Sequence, residues 1–331
     1  MRGKLLVSLV GEQTIPNVVP LLHYSIEGSV DSSLLVHTSR TAEACNWIDD
    51  VLPPALDRLP RLEVSPYDVA ATANQLTGRL AEVMRERSLS VEQVMINITG
   101  GTKLMSLAAY GLAAQLGCEA IYYQTETAGA PLILSYRFAE RQVISSPVVP
   151  HDVLTIESYF RAYGVAVPPE ASDQRRSLQQ KISKQRGDTK RGFEFEYAVY
   201  EALSGVVDGV LTGIKINGRD SSSDIDLIFR RGNVVGVGQL KCGKAAYSLD
   251  GVKQLTLFSG QPYGTYTKKL LITDDRANPN PADRVQQEHV RAQRIERVRL
   301  DSFDPPSGLS ERDVCNLRRA VITALGGQYE C

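Results

Sequence analysis

The chain is poor in the residues that most often staple or metallate a small fold, with 5 Cys, 4 His and 1 Trp among 331 residues. Cys45, Cys118, Cys242, Cys315 and Cys331 are scattered without a Cys-x-x-Cys pair. That pattern argues against a disulfide framework and a zinc knuckle, and it fits a reducing cytoplasm. His23, His37, His151 and His289 are far apart and lack metal-ligand spacing, and even His37, at a predicted strand end, is explained by ordinary satisfaction in the core or at the surface. Neither sign of charge is in excess, 37 Lys+Arg standing against 38 Asp+Glu, so any nucleic-acid site has to be local. No apolar run approaches the roughly 20 residues of a membrane span. The opening "MRGKLLVSLVGEQTIPNV" has too short an apolar run for a signal peptide. A soluble cytoplasmic chain with no membrane partner is expected, without internal repeats or low-complexity tracts.

What is present is enough for about two domains, since single cores stop growing near 150 to 250 residues. In the first half, strand-like and helix-like segments take turns: "KLLVSLV", "IPNVVPLLHYSI", "SSLLVHT", "AEACNWIDDVL", "RLEVSP", "DVAATANQLTGRLAEVMRE", "VEQVMINIT", "LMSLAAYGLAAQLG" and "EAIYYQ". Alternation of the two periods predicts a parallel, Rossmann-like sheet covered by helices. "PLILSYRFAERQVI" reads as a hairpin at its edge. From Ser146 the texture turns proline-rich, and the expected division is a domain over 1–146, a connector with short helices over 147–190 and a second domain over 191–331. Within the connector, "QRRSLQQKISKQRGDTKRG" is either a solvated helix plus loop or a strip that touches nucleic-acid backbone. The second domain opens on the helix "FEFEYAVYEALSG". The strands "GVLTGIKIN", "DIDLIFRR" and "NVVGVGQLK" follow, then a helix, the strand "TKKLLIT" and late helices.

The run "INITGGTKLM", Ile96 to Met105, has the grammar of a strand, a tight polar turn and a helix start. Such a turn aims backbone N–H groups and a helix N-terminus at one spot, which favours an anion. Small polar groups also follow the first strand (Ser8, Gly11 to Thr14) and the second (His37 to Thr41), and in a doubly wound sheet such loops converge at the carboxyl ends of the strands. A G-x-G-x-x-G fingerprint is missing and "GGTK" has the wrong order for a Walker loop, which disfavours NAD and an NTP-hydrolysing P-loop. A merely structural strand-to-helix turn stays open as the alternative.

"NITGGTKLMSLAAY" resembles the strand-to-helix turn of CARF domains, the Rossmann-like sensor domains of CRISPR-associated proteins, and the similarity in element order extends over about the first 145 residues. The resemblance implies a homodimer whose paired cradles hold a cyclic oligoadenylate. It carries over Asn97, Thr99, Gly100, Gly101, Thr102 and Lys103 as ligand contacts, with Met105 packing under the turn. Gly11, Glu12, Thr14, Thr38 and Arg40 match by position in the neighbouring loops only. Glu12 is awkward beside phosphates and suits a base or ribose hydroxyl better.

In "SSSDIDLIFRRGNVVGVGQLKCGK", Asp226 lies on one strand, and after the "RRGN" turn the next delivers Gln239 and Lys241 on one face, with Leu240 on the other. The pattern resembles PD-(D/E)XK nucleases, whose fold begins with a helix carrying a glutamate, here Glu196 or, as the alternative, Glu194. The resemblance implies that Asp226, Gln239 and Glu196 hold Mg²⁺ or Mn²⁺ and that Lys241 works near the attacking water. Hard cations prefer such oxygen donors, and a bound water becomes a usable nucleophile. Gln239 departs from the commoner Glu and removes one negative charge. Asp224 is a secondary ligand or a solvated strand entry, and Lys244, Tyr247 and Lys253 are near enough in sequence to touch substrate.

The order of the two halves resembles type III CRISPR ancillary nucleases that join one CARF domain to one PD-(D/E)XK domain. That resemblance implies cyclic tetra-adenylate as activator and single-stranded RNA or DNA as substrate, with nicking of duplex DNA as a further activity. The competing expectation is a cyclic-oligoadenylate-responsive regulator that binds nucleic acid without cutting. A hydrolase or transferase acting on the activator itself is a third.

Overall fold

The computed structural model describes residues 3–124, 131–147, 153–170, 172–217, 222–257, 266–274, 281–305 and 307–331. The chain separates into two compact units, one of residues 1–154 with 161–164, the other of 155–160 with 165–331. His151 lies outside the described residues. Among the described residues no helix is long and apolar enough to cross a membrane.

The first unit is built on an eight-stranded sheet. Its strands are β1 (Lys4–Leu9), β2 (Val30–His37), β3 (Asp57–Arg58), β4 (Leu62–Glu63), β5 (Val94–Asn97), β6 (Glu119–Gln124), β7 (Leu132–Arg137) and β8 (Gln142–Pro147). They run in the order β3-β2-β1-β5-β6-β7-β8, with β4 also on β2. Strands β1 to β6 pair in parallel, and β7 and β8 add an antiparallel hairpin at the edge. Leu5, Leu6, Val7 and Leu9 of the central β1 are all fully buried, as a strand covered on both faces requires. The helices are α1 (Ile15–Ile26), α2 (Ala42–Val51), α3 (Val69–Arg87) and α4 (Lys103–Leu116). Leu76, Leu80 and Val83 of α3 and Met105, Ala109 and Leu112 of α4 join Leu5, Val7 and Val36 in one apolar core. The strand expected in "RLEVSP" is the two-residue β4. A further two-residue strand, β3, precedes that segment and also pairs with β2, so the run ending at Asn97 is the fifth strand in chain order.

The second unit holds a five-stranded sheet, order β13-β12-β11-β10-β9. The strands are β9 (Gly209–Asn217), β10 (Ser222–Arg231), β11 (Val234–Cys242), β12 (Lys268–Asp274) and β13 (Glu296–Leu300). The first three are antiparallel neighbours, and β12 and β13 continue in parallel. The remaining helices in chain order are α5 (Ile156–Arg161), α6 (Gln174–Lys184), α7 (Gly187–Leu203), α8 (Asp250–Leu257), α9 (Pro281–Ala292) and α10 (Glu311–Ala324). Phe195 and Val199 of α7 pack on Leu227, Phe229, Leu240, Leu270 and Ile272, with Leu317 and Val321 of α10 in the same core. In the polar stretch "QRGDTKRG" the loop is only Gln185 and Arg186, because α7 begins at Gly187, well ahead of its first aromatic residue. Cys315 and Cys331 form a disulfide, a single bridge rather than a framework, while Cys45, Cys118 and Cys242 are free. A spacing of 16 residues between two lone cysteines carries no sequence signal, because the pairing depends on the chain after α10 folding back.

Candidate functional site

The first candidate site lies where β1, β2 and β5 end side by side, with Leu9 opposite Val36 and Ser8 opposite Asn97. Asn97 is fully buried. Its amide Nδ2 donates to the Pro16 carbonyl at 2.9 Å, and its Oδ1 accepts from the Thr99 amide at 3.0 Å and the Thr99 hydroxyl at 2.7 Å. Thr99 Oγ1 in turn accepts the Tyr123 amide at 2.7 Å. Thr102 caps α4 by accepting the Met105 amide at 3.2 Å while its hydroxyl donates to the Pro66 carbonyl at 2.8 Å. Ser106, one turn on, places its hydroxyl within 3.2 Å of the Ile98, Gly100 and Thr102 carbonyls. Met105 is buried beneath the turn. These bonds fix the bend before any ligand arrives, which lowers the ordering cost of binding.

The glycines are explained by the same packing. A Cβ on Gly100 would stand 2.0 Å from the Leu9 carbonyl oxygen, and Gly101 adopts a φ of +73°, where side chains are strained. Gly11 packs on the bend, since a Cβ there would lie 3.0 Å from the Gly101 amide nitrogen. Thr14 is fully buried and donates to the Ala162 carbonyl at 2.5 Å, and Thr38 is buried in a reciprocal cap with Thr41. Of the eleven sequence-predicted contacts, Thr14, Thr38, Asn97, Thr99 and Thr102 therefore build the frame. Lys103, Arg40 and Glu12 are exposed on it, and Arg40 pairs with Glu12 at 2.9 Å. Lys103 is the first residue of α4, where its charge adds to the partial positive charge of the helix N-terminus. His37 is buried with Nδ1 3.0 Å from the Thr38 carbonyl, a structural partner.

The second candidate site belongs to the other unit. The antiparallel register sets Leu227 opposite Gly238, which brings Asp226 of β10 beside Gln239 of β11. Lys241 Nζ donates to Asp226 Oδ2 at 3.2 Å and to Gln239 Oε1 at 3.0 Å. Asp226 Oδ2 also accepts the Leu240 amide at 2.9 Å, and the Gln239 Nε2 donates to the Asp224 carbonyl at 2.8 Å. Gln239 is fully buried. Glu196 of α7 is the third member, its Oε2 buried without a hydrogen-bond partner. Burial first, and the neighbouring Asp226 second, push its carboxyl up to about 7, with Lys181 and Lys241 opposing the rise. Burial also raises Asp226, against the pull of Lys241 and the Leu240 amide. Glu194, the alternative to Glu196, pairs instead with Lys190 at 3.5 Å, one helical turn away. Lys244 and Lys253 are exposed, and Tyr247 ends the short turn Gly243–Tyr247.

Among the described residues no three His, Cys, Asp or Glu side chains gather as a metal cluster. The donors here are of another composition: two carboxylates and one amide oxygen. Two coupled acids with raised proton affinity, one with an orphaned buried oxygen, fit a hard divalent cation, which would take the place of the proton.

In a comparison with protein families, residues 5–159 match the Card1 CARF domain. The match spans a little under half of the chain. No curated protein matches the chain. Among solved structures, Can2 from Sulfobacillus thermosulfidooxidans, in complex with cyclic tetra-adenylate, superposes with a TM-score of 0.67 at 15% identity. That superposition covers 98% of this chain and 97% of Can2. Protein VC1899 from Vibrio cholerae does so with a TM-score of 0.69 at 11% identity, covering 98% and 99% of the two chains. A type III CRISPR defence DNA nuclease activated by cyclic oligoadenylate gives 0.62 at 16% identity, over 93% of this chain and 50% of that one. These likenesses extend the shared fold beyond the CARF domain to the second sheet.

Within the CARF domain, sequence reading identifies the bend but misses its supports, Ser106, Pro66 and Tyr123. Ser106 had a signal, a hydroxyl one helical turn after Thr102. The other two act through backbone groups that any residue supplies. In the second unit the reading brings together Glu196, Asp226, Gln239 and Lys241 and does not single out Lys181, one of several cations in the polar helix α6.

Proposed function

We propose that this chain is a nuclease of type III CRISPR defence, switched on by a cyclic oligoadenylate, cyclic tetra-adenylate first among them, and dependent on Mg²⁺ or Mn²⁺. Single-stranded RNA or DNA is its substrate, and nicking of duplex DNA is a further activity. The observation that carries the reading is Lys241 bonded at once to Asp226 and Gln239, beside the unpartnered Glu196 oxygen. The CARF domain and a shared fold with Can2, solved with cyclic tetra-adenylate, support the sensing half.

Asp226, Glu196 and the Gln239 amide oxygen would hold the cation. When bound, it supplies charge neutralisation at the phosphate and a water more easily deprotonated near neutral pH. Lys241 keeps Asp226 oriented, and with a substrate present its ammonium faces the reacting phosphate and the attacking water. Gln239 brings no charge, so the site is less negative than one built with three carboxylates and holds its cation less tightly. The buried Nε2 bond to Asp224 fixes which way the amide oxygen points.

In the CARF domain, the Gly100 and Gly101 backbone, the α4 N-terminus and Lys103 form the anion cradle, with Arg40 releasing Glu12 to meet phosphate. A ring carrying one phosphate per nucleotide suits two symmetric copies of that cradle, which supports a homodimer. Tyr67, Val69 and Leu107, exposed at the start of α3 and on α4, give such a contact its apolar surface. Turning a 1:99 population of active dimers into 99:1 needs about 5.5 kcal/mol of differential ligand affinity.

The amide at Gln239 favours one rival, a ligand-responsive regulator that binds nucleic acid without cutting. Labelled single strands incubated with Mn²⁺ and cyclic tetra-adenylate separate the two. Cleavage that disappears in Lys241→Ala supports the nuclease, and intact strands retained by the wild type support the regulator.

A further inference from the structure

The nuclease reading leaves one buried-side cation at this site without a task. Lys181 comes from α6, in the stretch that reads from sequence as a solvated helix or as a strip touching nucleic-acid backbone, and its ammonium lies at the carboxylate end of the second site. A Cβ built on Gly213 of β9 would stand 2.7 Å from Lys181 Nζ and 4.0 Å from Glu196 Oε2, so amine and carboxylate flank one point. Gly213 holds a φ of +58° there. The β9–β10 register runs from Asp224 opposite Lys215 and Ile225 opposite Ile214 to Leu227 opposite Thr212, skipping the pair in between, Gly213 and Asp226. The ladder opens where Asp226 sits, and the space that a side chain would fill is taken by the lysine head. The ring of Phe193 lies 5.7 Å from the same Nζ and steadies it on the α7 side.

Lys181 and Lys241 thus stand at the same carboxylate pair from different elements, α6 and β11. Lys241 is spent on Asp226 and Gln239, whereas Glu196 Oε2 takes no hydrogen bond from Lys181. We propose that Lys181 is a second substrate-contacting cation of this site, holding a backbone phosphate of the bound strand, and that Gly213 is small so that the amine can reach it. This rests on the nuclease reading for the identity of the site, but contact with a phosphate is measured without cleavage.

The test uses the full-length protein with cyclic tetra-adenylate, EDTA and a fluorescein-labelled oligothymidylate of 20 nucleotides. Fluorescence anisotropy gives the dissociation constant across a salt series, and thermal melting confirms that each variant is folded. For Lys181→Ala the expected result is affinity weakened about tenfold and a salt slope shallower by about 0.7, the loss of one phosphate contact on a single strand. Lys181→Arg recovers the slope, and Gly213→Ala, which keeps every charge, reproduces the weakened binding by displacing the amine. An unchanged salt slope in Lys181→Ala, or no binding of the strand by the wild type, overturns the proposal. Intact slope behaviour in a protein that never cleaves with Mn²⁺ would instead sink the nuclease reading while keeping the contact.

Discussion

Glu196 is the side chain whose titration most directly reports the second site. Its ordinary value of 4.5 in an unfolded chain rises to about 7 in the fold, chiefly by burial and then by Asp226. Between these values the folded chain binds the extra proton, so stability falls as pH rises through that window, and the penalty is fully present above it. Without divalent metal, Glu196→Gln is therefore expected to melt above the wild type at pH 8 and close to it at pH 4, as differential scanning fluorimetry would show. Mn²⁺ should raise the wild-type melting temperature at pH 8 and do little at pH 5, since it binds the ionised form. Gln239 supplies a second test. Glu in its place adds a charge facing the cation and forfeits the Nε2 bond to Asp224. Cleavage assayed against Mn²⁺ should reach half its maximum at about tenfold lower metal, with stability lower by about 1 kcal/mol.

The strand-to-helix bend between β5 and α4 is an element-level device in which the hydroxyls of Thr99 and Thr102 are each used twice. Thr102 is both cap and tether to Pro66, and Thr99 links Asn97 to β6. Two glycines near each other in sequence should then behave oppositely on substitution. Gly100→Ala drives a Cβ into the Leu9 carbonyl at 2.0 Å and should lower unfolding stability by about 3 kcal/mol. Gly111, inside α4, has open space where a methyl would go, with nothing within 4 Å, so Gly111→Ala should gain about 0.5–1 kcal/mol. Chemical denaturation of the two variants checks the contrast. The bend is readable in "INITGGTKLM" because strand, glycines and cap residue follow in a fixed local order. Which hydroxyls face a ligand is not, since Thr99 and Thr102 look the same in sequence whether they bind phosphate or backbone. Period two along β11 places Gln239 and Lys241 correctly for a similar reason, as alternation is a local property.

Over the full chain, legibility follows the range of the interactions. The alternation of β and α periods points to the Rossmann-like sheet of the first unit, and three adjacent β runs point to the antiparallel part of the second. Lys181 is hard to single out because α6 meets the site through long-range contacts with β9, and the Cys315–Cys331 pair because it joins residues brought together by the last turn of chain. Strand β3 is not legible in the sequence because a two-residue strand has no period to detect. If paired cradles hold the ring, sedimentation of the purified protein should give twice the 36.3 kDa of one chain.

The link between the two units is tested by one titration. Cleavage of a labelled single strand in Mn²⁺ is followed against cyclic tetra-adenylate for the wild type and for Lys103→Ala, a change confined to the cradle. The expected result is no cleavage without the ring, and a Lys103→Ala curve shifted to about tenfold higher ring concentration that reaches the same plateau. Cleavage that proceeds equally without cyclic tetra-adenylate, or superimposable curves for the two proteins, would contradict control of Asp226 chemistry by the bend from Thr99 to Lys103.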